Sequence, residues 1–175
     1  MLKLSTRYRD FLTVLNSKGV KYLLVGGYAV QYHGYTRPTM DLDVWISRDP
    51  QNAQKMVEAF QDLGLEIPEL TSESFQQERR IIRIEFSPTT VEVLDPIIGQ
   101  APELLQRFQV SSSQQIEILT VQSGPDFEAC YADRIVEVID GLPVNIVNLD
   151  GLNAIKAVTD RPKDVKDLLN LREND

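Results

Sequence analysis

The stretch LLVGGYAVQYHGYTRPTMDLDVWI, ending at Ile46, holds two features whose residue types and spacing could do chemistry. The first is Asp41-x-Asp43. Side chains two apart on an extended strand share one face, so these carboxylates repel unless a cation sits between them. Hard oxygen ligands on a rigid strand suit Mg²⁺, which commonly takes one or two carboxylates together with substrate phosphates. The second is Gly26-Gly27. A glycine turn lets backbone approach an anion closely, and a helix beginning there would offer free N–H groups to a phosphate. Either feature alone is ordinary, a solvated strand edge or a simple turn. Buried strand, Gly-Gly, short helix and acidic strand in immediate succession are far more specific.

Other phosphate and nucleophile motifs fit worse. No lysine follows Gly26-Gly27 in the manner of a P-loop, and the dinucleotide fingerprint Gly-x-Gly-x-x-Gly is absent. Cys130 and His33 are each the only residue of their kind. That excludes a thiolate zinc site, and His33 reads as a packing residue at a helix end.

The elements that must position these groups follow from periodicity. Tyr8, Phe11, Leu12 and Leu15 form a helical stripe over Ser5 to Ser17, closed by Gly19. Val20 to Val25 is a short apolar run suited to a buried strand. Gly26-Gly27 breaks it, and a helical pattern resumes from Tyr28 to His33, ending at Gly34. Arg37-Pro38 is extended, because the residue before proline avoids helix. Asp41 to Ile46 alternates, with Asp41, Asp43 and Trp45 facing one way and Leu42, Val44 and Ile46 the other. Asp49-Pro50 opens a helix from Gln51 to Leu63.

Downstream, Ile81 to Phe86 and Thr90 to Leu94 predict a hairpin around Ser87-Pro88-Thr89. Pro102 to Phe108 predicts a short helix and Ile116 to Val121 another strand. Ile135 to Ile139 and Val144 to Val147 flank Asp140-Gly141, a hairpin turn signal. Asp150 is an expected N-cap for a helix from Leu152 to Val158, and Pro162 opens a last helix to Leu171. Val91-Glu92-Val93-Leu94 recurs as Ile116-Glu117-Ile118-Leu119, with Gly99 matched by Gly124, as a short tandem duplication would produce. Mixed strands and helices predict an α/β or α+β fold built on a mixed sheet.

Composition bounds the class. The 175 residues make about one domain, read as a core over 1–125 followed by a C-terminal hairpin and helices over 126–175. They are 42% hydrophobic and 25% charged, which is globular rather than disordered. The apolar runs are too short for a membrane span, and Met1 to Lys18 has no secretory apolar stretch. A single cysteine suits a reducing cytosol, so a cytoplasmic location is expected. Lys+Arg 18 against Asp+Glu 26 gives net −8. A generic DNA-binding surface needs the opposite sign, so a polyanionic ligand must be gripped locally.

VGGYAVQYHGYTRPTMDLDVWI resembles the signature of the nucleotidyltransferase superfamily that includes DNA polymerase beta. IEILTVQSGPDFEACYADR (Ile116 to Arg134) and LNAIKAVTDRPKDVKDL (Leu152 to Leu168) resemble later segments of small bacterial nucleotidyltransferase-like proteins, relatives of the abortive-infection toxin nucleotidyltransferases. The resemblance covers most of the chain. It implies the nucleotidyltransferase fold, a mixed sheet flanked by helices with further helices at the C-terminus. It also implies Mg²⁺-dependent transfer of a nucleoside monophosphate from an NTP such as ATP.

Roles follow residue by residue. Gly26 and Gly27 match the turn that contacts the triphosphate, and Asp41 and Asp43 match the metal-binding carboxylates. A third carboxylate is expected from a neighbouring strand, and both Glu92 and Glu117 fit, with Glu117 slightly ahead. Both are Glu where Asp is frequent in the superfamily. Lys156 matches a lysine able to reach phosphates, or else is a solvated helix lysine. Arg37 touches the triphosphate or neutralises the aspartates. Arg161, Lys163, Asp164 and Asp167 match an Arg-Pro-Lys-Asp-x-x-Asp segment, for which internal ion pairs are the slightly favoured reading.

In the expected scheme two Mg²⁺ sit between Asp41, Asp43, the third Glu and the triphosphate, one activating an acceptor hydroxyl and one stabilising pyrophosphate. The acceptor is a protein hydroxyl or an RNA end. A small-molecule acceptor is less expected, because little chain remains to build its site. The alternative is a catalytically silent nucleotide- or partner-binding module on the same fold, acting with a cognate partner protein as in a toxin–antitoxin pair.

Overall fold

The computed structural model describes residues 2–68, 70–78, 80–86, 89–94, 114–120, 124–158 and 161–173. Helix α1 (Thr6–Ser17) leads to β1 (Tyr22–Val25), α2 (Gly26–Tyr32), β2 (Asp41–Ile46) and α3 (Pro50–Asp62). A 3-10 turn (Ser72–Phe75), the hairpin of β3 (Ile81–Phe86) and β4 (Thr89–Leu94), and β5 (Gln115–Leu119) come next. Helix α4 (Phe127–Ala132), the hairpin of β6 (Ile135–Ile139) and β7 (Leu142–Ile146), α5 (Leu149–Ala157) and α6 (Pro162–Glu173) complete the order.

The strands form one seven-stranded sheet in the order β4-β3-β5-β2-β1-β7-β6. It is mixed: β2 pairs parallel with β5 and β1 parallel with β7, while the remaining pairs are antiparallel. The fold is therefore α+β, a mixed sheet flanked by helices. The C-terminal hairpin is an integral part of that sheet, since Leu24 of β1 is in register with Ile146 of β7.

Local chemistry explains the elements. Ser5 caps α1 by accepting from the Tyr8 N–H, and Tyr8, Phe11, Leu12 and Leu15 are buried along one stripe. Asp49 caps α3, with Pro50 in its first turn and Ala53, Met56 and Phe60 turned inward. The alternation in β2 buries Leu42, Val44 and Ile46 on one face, where Ile82, Ile84, Ile116 and Ile118 join them without solvent exposure. Each such side chain contributes about 1.5–3 kcal/mol by leaving water. Asp140 and Gly141 both take positive φ, the backbone a tight two-residue hairpin turn requires.

Several expectations need adjusting. Helix α2 starts at Gly26 itself, so the glycines open the helix instead of preceding it. Asn148, not Asp150, caps α5, because its side chain accepts from the Gly151 N–H at 2.8 Å and leaves Asp150 inside the first turn. Helix α4, capped by Asp126, has no counterpart in the periodicity reading. The expected helix at 102–108, the residues Ser87, Pro88 and Gly99, and Val121 lie outside the described residues. Among the described residues, no helix is long and apolar enough to cross a membrane.

The two copies of the repeat have a simple spatial relation. Strands β4 and β5 flank β3 on opposite sides, both antiparallel to it and in the same register. Ile82 faces Val93 and Ile118, and Arg83 faces Glu92 and Glu117.

Candidate active site

Register places the candidate residues. Val25, Asp43, Glu117, Arg83 and Glu92 stand opposite one another in a single row across β1, β2, β5, β3 and β4. Asp41 lies in the next row on the same face, opposite Gln115. Glu117 is thus the immediate neighbour of Asp43, whereas β5 and β3 separate Glu92 from β2. Of the two candidate third acids, Glu117 is the one beside the aspartates.

Gly26 begins α2 where β1 ends, and it has φ +63. A Cβ placed on it would lie 2.0 Å from Asp43 Oδ2, so the carboxylate rests directly on the glycine. A Cβ on Gly27 would meet Thr39 Oγ1 at 2.3 Å and Arg37 Nη1 at 3.3 Å. Both glycines are required by close approach, and the first also by its backbone angle. The Tyr8 hydroxyl lies against the carbonyls of Met40 and Gln115, where β2 and β5 begin.

The acids are under electrostatic load. Burial, then the charges of Glu117 and Asp41, push the Asp43 carboxyl up to about 7, against weaker pulls from Lys163 and Arg161. Burial, then Glu117, also raises Asp41, while Lys163 and Arg83 oppose the rise. Such a pair stores repulsion that a cation would relieve.

Glu117 is already engaged. Arg83 donates to its Oε1 from Nη2 and also from Nε at 3.2 Å, and the arginine is only 5% exposed. Among the described residues, no three acidic, cysteine or histidine side chains are grouped so as to hold an ion as they stand. The donor set fits a divalent cation shared by Asp41, Asp43 and substrate oxygens. It does not fit a ready three-carboxylate cage, because Arg83 holds the third.

The cations expected to meet phosphate, Arg37 and Lys156, both take part in ion pairs within the chain. Arg37 forms a two-pronged pair with Asp167 at 2.8 and 2.9 Å, and so does not neutralise Asp41 or Asp43. The Lys156 ammonium is buried between Asp164 and Asp167, 2.8 Å from each, which excludes the reading of a solvated lysine. Arg161 pairs with Asp164 as well. The Arg-Pro-Lys-Asp-x-x-Asp segment therefore makes internal ion pairs, though they reach beyond α6 to α5 and to the loop before β2. Burial alone would raise the Asp167 carboxyl, but hydrogen bonds and charge from Arg37 and Lys156 hold it below its ordinary value.

A cleft of about 440 Å³ opens between residues 35–38 and α6, lined by Tyr35, Pro38 and Pro162 with Arg37, Lys163, Lys166 and Asp167. Lys163, exposed on its wall, is the side chain that links this cleft to the charges of Asp41 and Asp43.

Sequence reasoning missed Arg83. The available signal was a charge placed inside an isoleucine run, Ile81-Ile82-Arg83-Ile84, which a buried strand tolerates only opposite an acid.

No family model matches the chain, and no curated protein matches it. Among solved structures, it is similar to an antigenic nucleotidyltransferase-like protein from Paracoccidioides brasiliensis. The two are 16% identical with a TM-score of 0.49, over 96% of this chain and 77% of that one. A likeness this loose carries no argument beyond the chain's own residues.

Proposed function

We propose that the chain transfers a nucleoside monophosphate from an NTP to an acceptor hydroxyl on a protein or at an RNA end. The observation that carries this reading is the contact between Gly26 and Asp43. The glycine at which α2 begins and a buried carboxylate able to hold a cation are packed against each other. Asp41 and Asp43 would hold Mg²⁺, which when bound would supply Lewis acidity to the phosphoryl group. Gly26 and Gly27 let Asp43 and Thr39 pack against the start of α2, and the neighbouring cleft offers the exposed Lys163 ammonium and the Tyr35 ring to a nucleotide. The acceptor oxygen bonds to the α-phosphorus as the bond to the bridging oxygen breaks. Pyrophosphate leaves, and the hydroxyl proton goes to solvent.

The test is Asp41→Asn with Asp43→Asn. Titrated with a fluorescent ATP analogue and Mg²⁺, the double variant is expected to lose at least tenfold in affinity while keeping the wild-type far-UV spectrum. Equal binding by the two proteins would refute the assignment.

A second reading, a silent module that binds nucleotide beside a cognate partner protein, is favoured by one observation: Glu117, Arg37 and Lys156 are all committed to internal ion pairs. Incubation with each α-³²P-labelled NTP, Mg²⁺ and a lysate separates the two. Label moved to protein or RNA supports transfer, and binding without movement of label supports the module.

A further inference from the structure

We infer that strand β6 is the docking edge of a symmetric dimer, in which a second copy of this chain adds its own β6 antiparallel, centred on Glu137. The inference stands apart from the nucleotide reading, because β7 and β1 lie between β6 and the strand that carries Asp41 and Asp43.

Strand β6 ends the sheet beside β7. In that hairpin Ile139 stands opposite Leu142, and the register runs without a bulge back to Ile135 opposite Ile146. Antiparallel pairs alternate between exchanging two hydrogen bonds and exchanging none. Asp140 and Gly141, both at positive φ, make a two-residue turn that closes on a bonded pair. Ile135, Glu137 and Ile139 therefore bond to β7, whereas Val136 and Val138 aim their N–H and C=O groups outward. Pro143, opposite Val138, agrees with this phase. It has no N–H to give to β6, and its carbonyl accepts from Asn16 instead, at 2.7 Å.

The same two residues expose their side chains, Val136 by 53% and Val138 by 62%. Native edge strands are guarded by lysine, proline or a bulge, and β6 has none of these. Its single charge, Glu137, lies on the opposite face from the valines and accepts from the Tyr32 hydroxyl at 3.1 Å.

The pattern of β6 is complementary to itself. Ile135 to Ile139 reads the same in both directions, with Arg134 before it and Asp140 after it. Turned antiparallel about Glu137, two copies pair Val136 with Val138 twice, through the outward backbone groups. Each Arg134 then meets the Asp140 of the other copy. Sliding the partner by two residues either way sets Arg134 or Asp140 against a valine, so charge selects the register. Arg134 is held at the start of β6 by Asn145, which accepts from Nε at 3.1 Å, and by the Tyr131 carbonyl, which accepts from Nη1 at 2.7 Å. Its guanidinium also lies over the Tyr131 ring, 3.9 Å from the centroid. The two bonds leave other N–H groups of the guanidinium for a carboxylate, and Asp140 is exposed. Glu137 is the residue that opposes the pairing, since it faces its own copy across the axis.

Sedimentation velocity of the full chain over a wide range of concentration, without nucleotide or metal, reads the association. The wild type is expected to pass to twice the mass of one chain as concentration rises. Val138→Lys, which guards the edge without removing a bond to β7, is expected to stay at the mass of one chain. Glu137→Gln should lower the dimer Kd by about two- to fivefold. Asp140→Asn, which suits the left-handed turn, should raise it. A wild type that stays single throughout, or a dimer that Val138→Lys leaves intact, overturns the inference. So does weaker association of Glu137→Gln. Glu137→Cys reads the register independently: opposite its own copy in a non-bonded pair, the thiol is within disulfide reach. Mild oxidation should link most of its chains and few of Val93→Cys, exposed on β4 at the other end of the sheet. Cys130, being buried, should stay out of the reaction. Equal cross-linking of the two variants overturns the pairing.

Discussion

The Asp43 carboxylate fills the space that a side chain on Gly26 would occupy, so strand β2 and the first residue of α2 are locked in a single contact. Gly26→Ala must therefore both displace Asp43 and hold an L-residue at φ +63. Left-handed backbone costs an alanine about 1–2 kcal/mol, and the clash adds about 1–3 kcal/mol. The variant is expected to unfold at lower urea and to lose Mg-ATP binding together. Gly34→Ala is the control, since that glycine also has positive φ but nothing crowds its Cβ. It should lose stability alone.

The load on Asp43 has a pH signature. Its carboxyl is pushed up to about 7 in the folded chain from an ordinary 3.8. Between those values the folded state holds more protons than the unfolded one, so stability falls as pH rises through that window. Asp41, also raised, adds in the same direction. Asp167 has the opposite sign: its stabilisation is present above the ordinary carboxylate range and is lost as pH falls through its lowered value. Unfolding midpoints read from Trp45 fluorescence should decline from pH 5 to pH 7.5. Mg²⁺ should recover part of the loss at pH 7.5, and Asp43→Asn should flatten the decline. An equal slope in wild type and variant would remove Asp43 as its source.

How far the site was legible in the sequence depends on the range of each interaction. Asp41 and Asp43 were readable because strand alternation is a local rule, and β2 has the expected bounds. The choice between Glu92 and Glu117 was not readable, since both copies of the repeat obey the same local pattern. Only strand order, a long-range property, puts β5 next to β2. The reading of Lys156 as a solvated lysine fails for the same reason. A lysine on a helix looks solvated until α6 brings Asp164 and Asp167 against it. The start of α2 at Gly26 shows tertiary packing overriding helix propensity, because no larger residue fits under Asp43.

The ion pairs joining α5, α6 and the loop before β2 differ in kind from those on the surface. Asp167 has no exposed surface and holds both Arg37 and Lys156. Asp167→Asn takes one anion from the half-buried Arg37 and the buried Lys156 and should cost about 3–5 kcal/mol, with little dependence on salt. Lys21–Glu128, exposed on both sides, is the contrast, and Glu128→Gln should cost no more than about 1 kcal/mol and less at high salt. Urea unfolding in 50 mM and 500 mM NaCl measures both. A small, salt-sensitive loss in Asp167→Asn would mean that water reaches the network.

The repeated strands permit a matched comparison. Glu92 and Glu117 face the same arginine from opposite sides, in identical register, yet only Glu117 is partly buried and lies next to Asp43. Removing the charge at Glu117 leaves the buried Arg83 guanidinium undercompensated, so Glu117→Gln should cost about 3–5 kcal/mol. Glu92→Gln, on the outer strand and in contact with water, should stay within about 0.5 kcal/mol of wild type. The double variant Arg83→Met with Glu117→Gln should regain part of what Glu117→Gln loses, because the buried guanidinium that Glu117 faces is then removed as well. Equal costs for Glu92→Gln and Glu117→Gln would mean that Arg83 shares itself evenly between the two copies. The asymmetry of the row would then be one of position without energetic consequence.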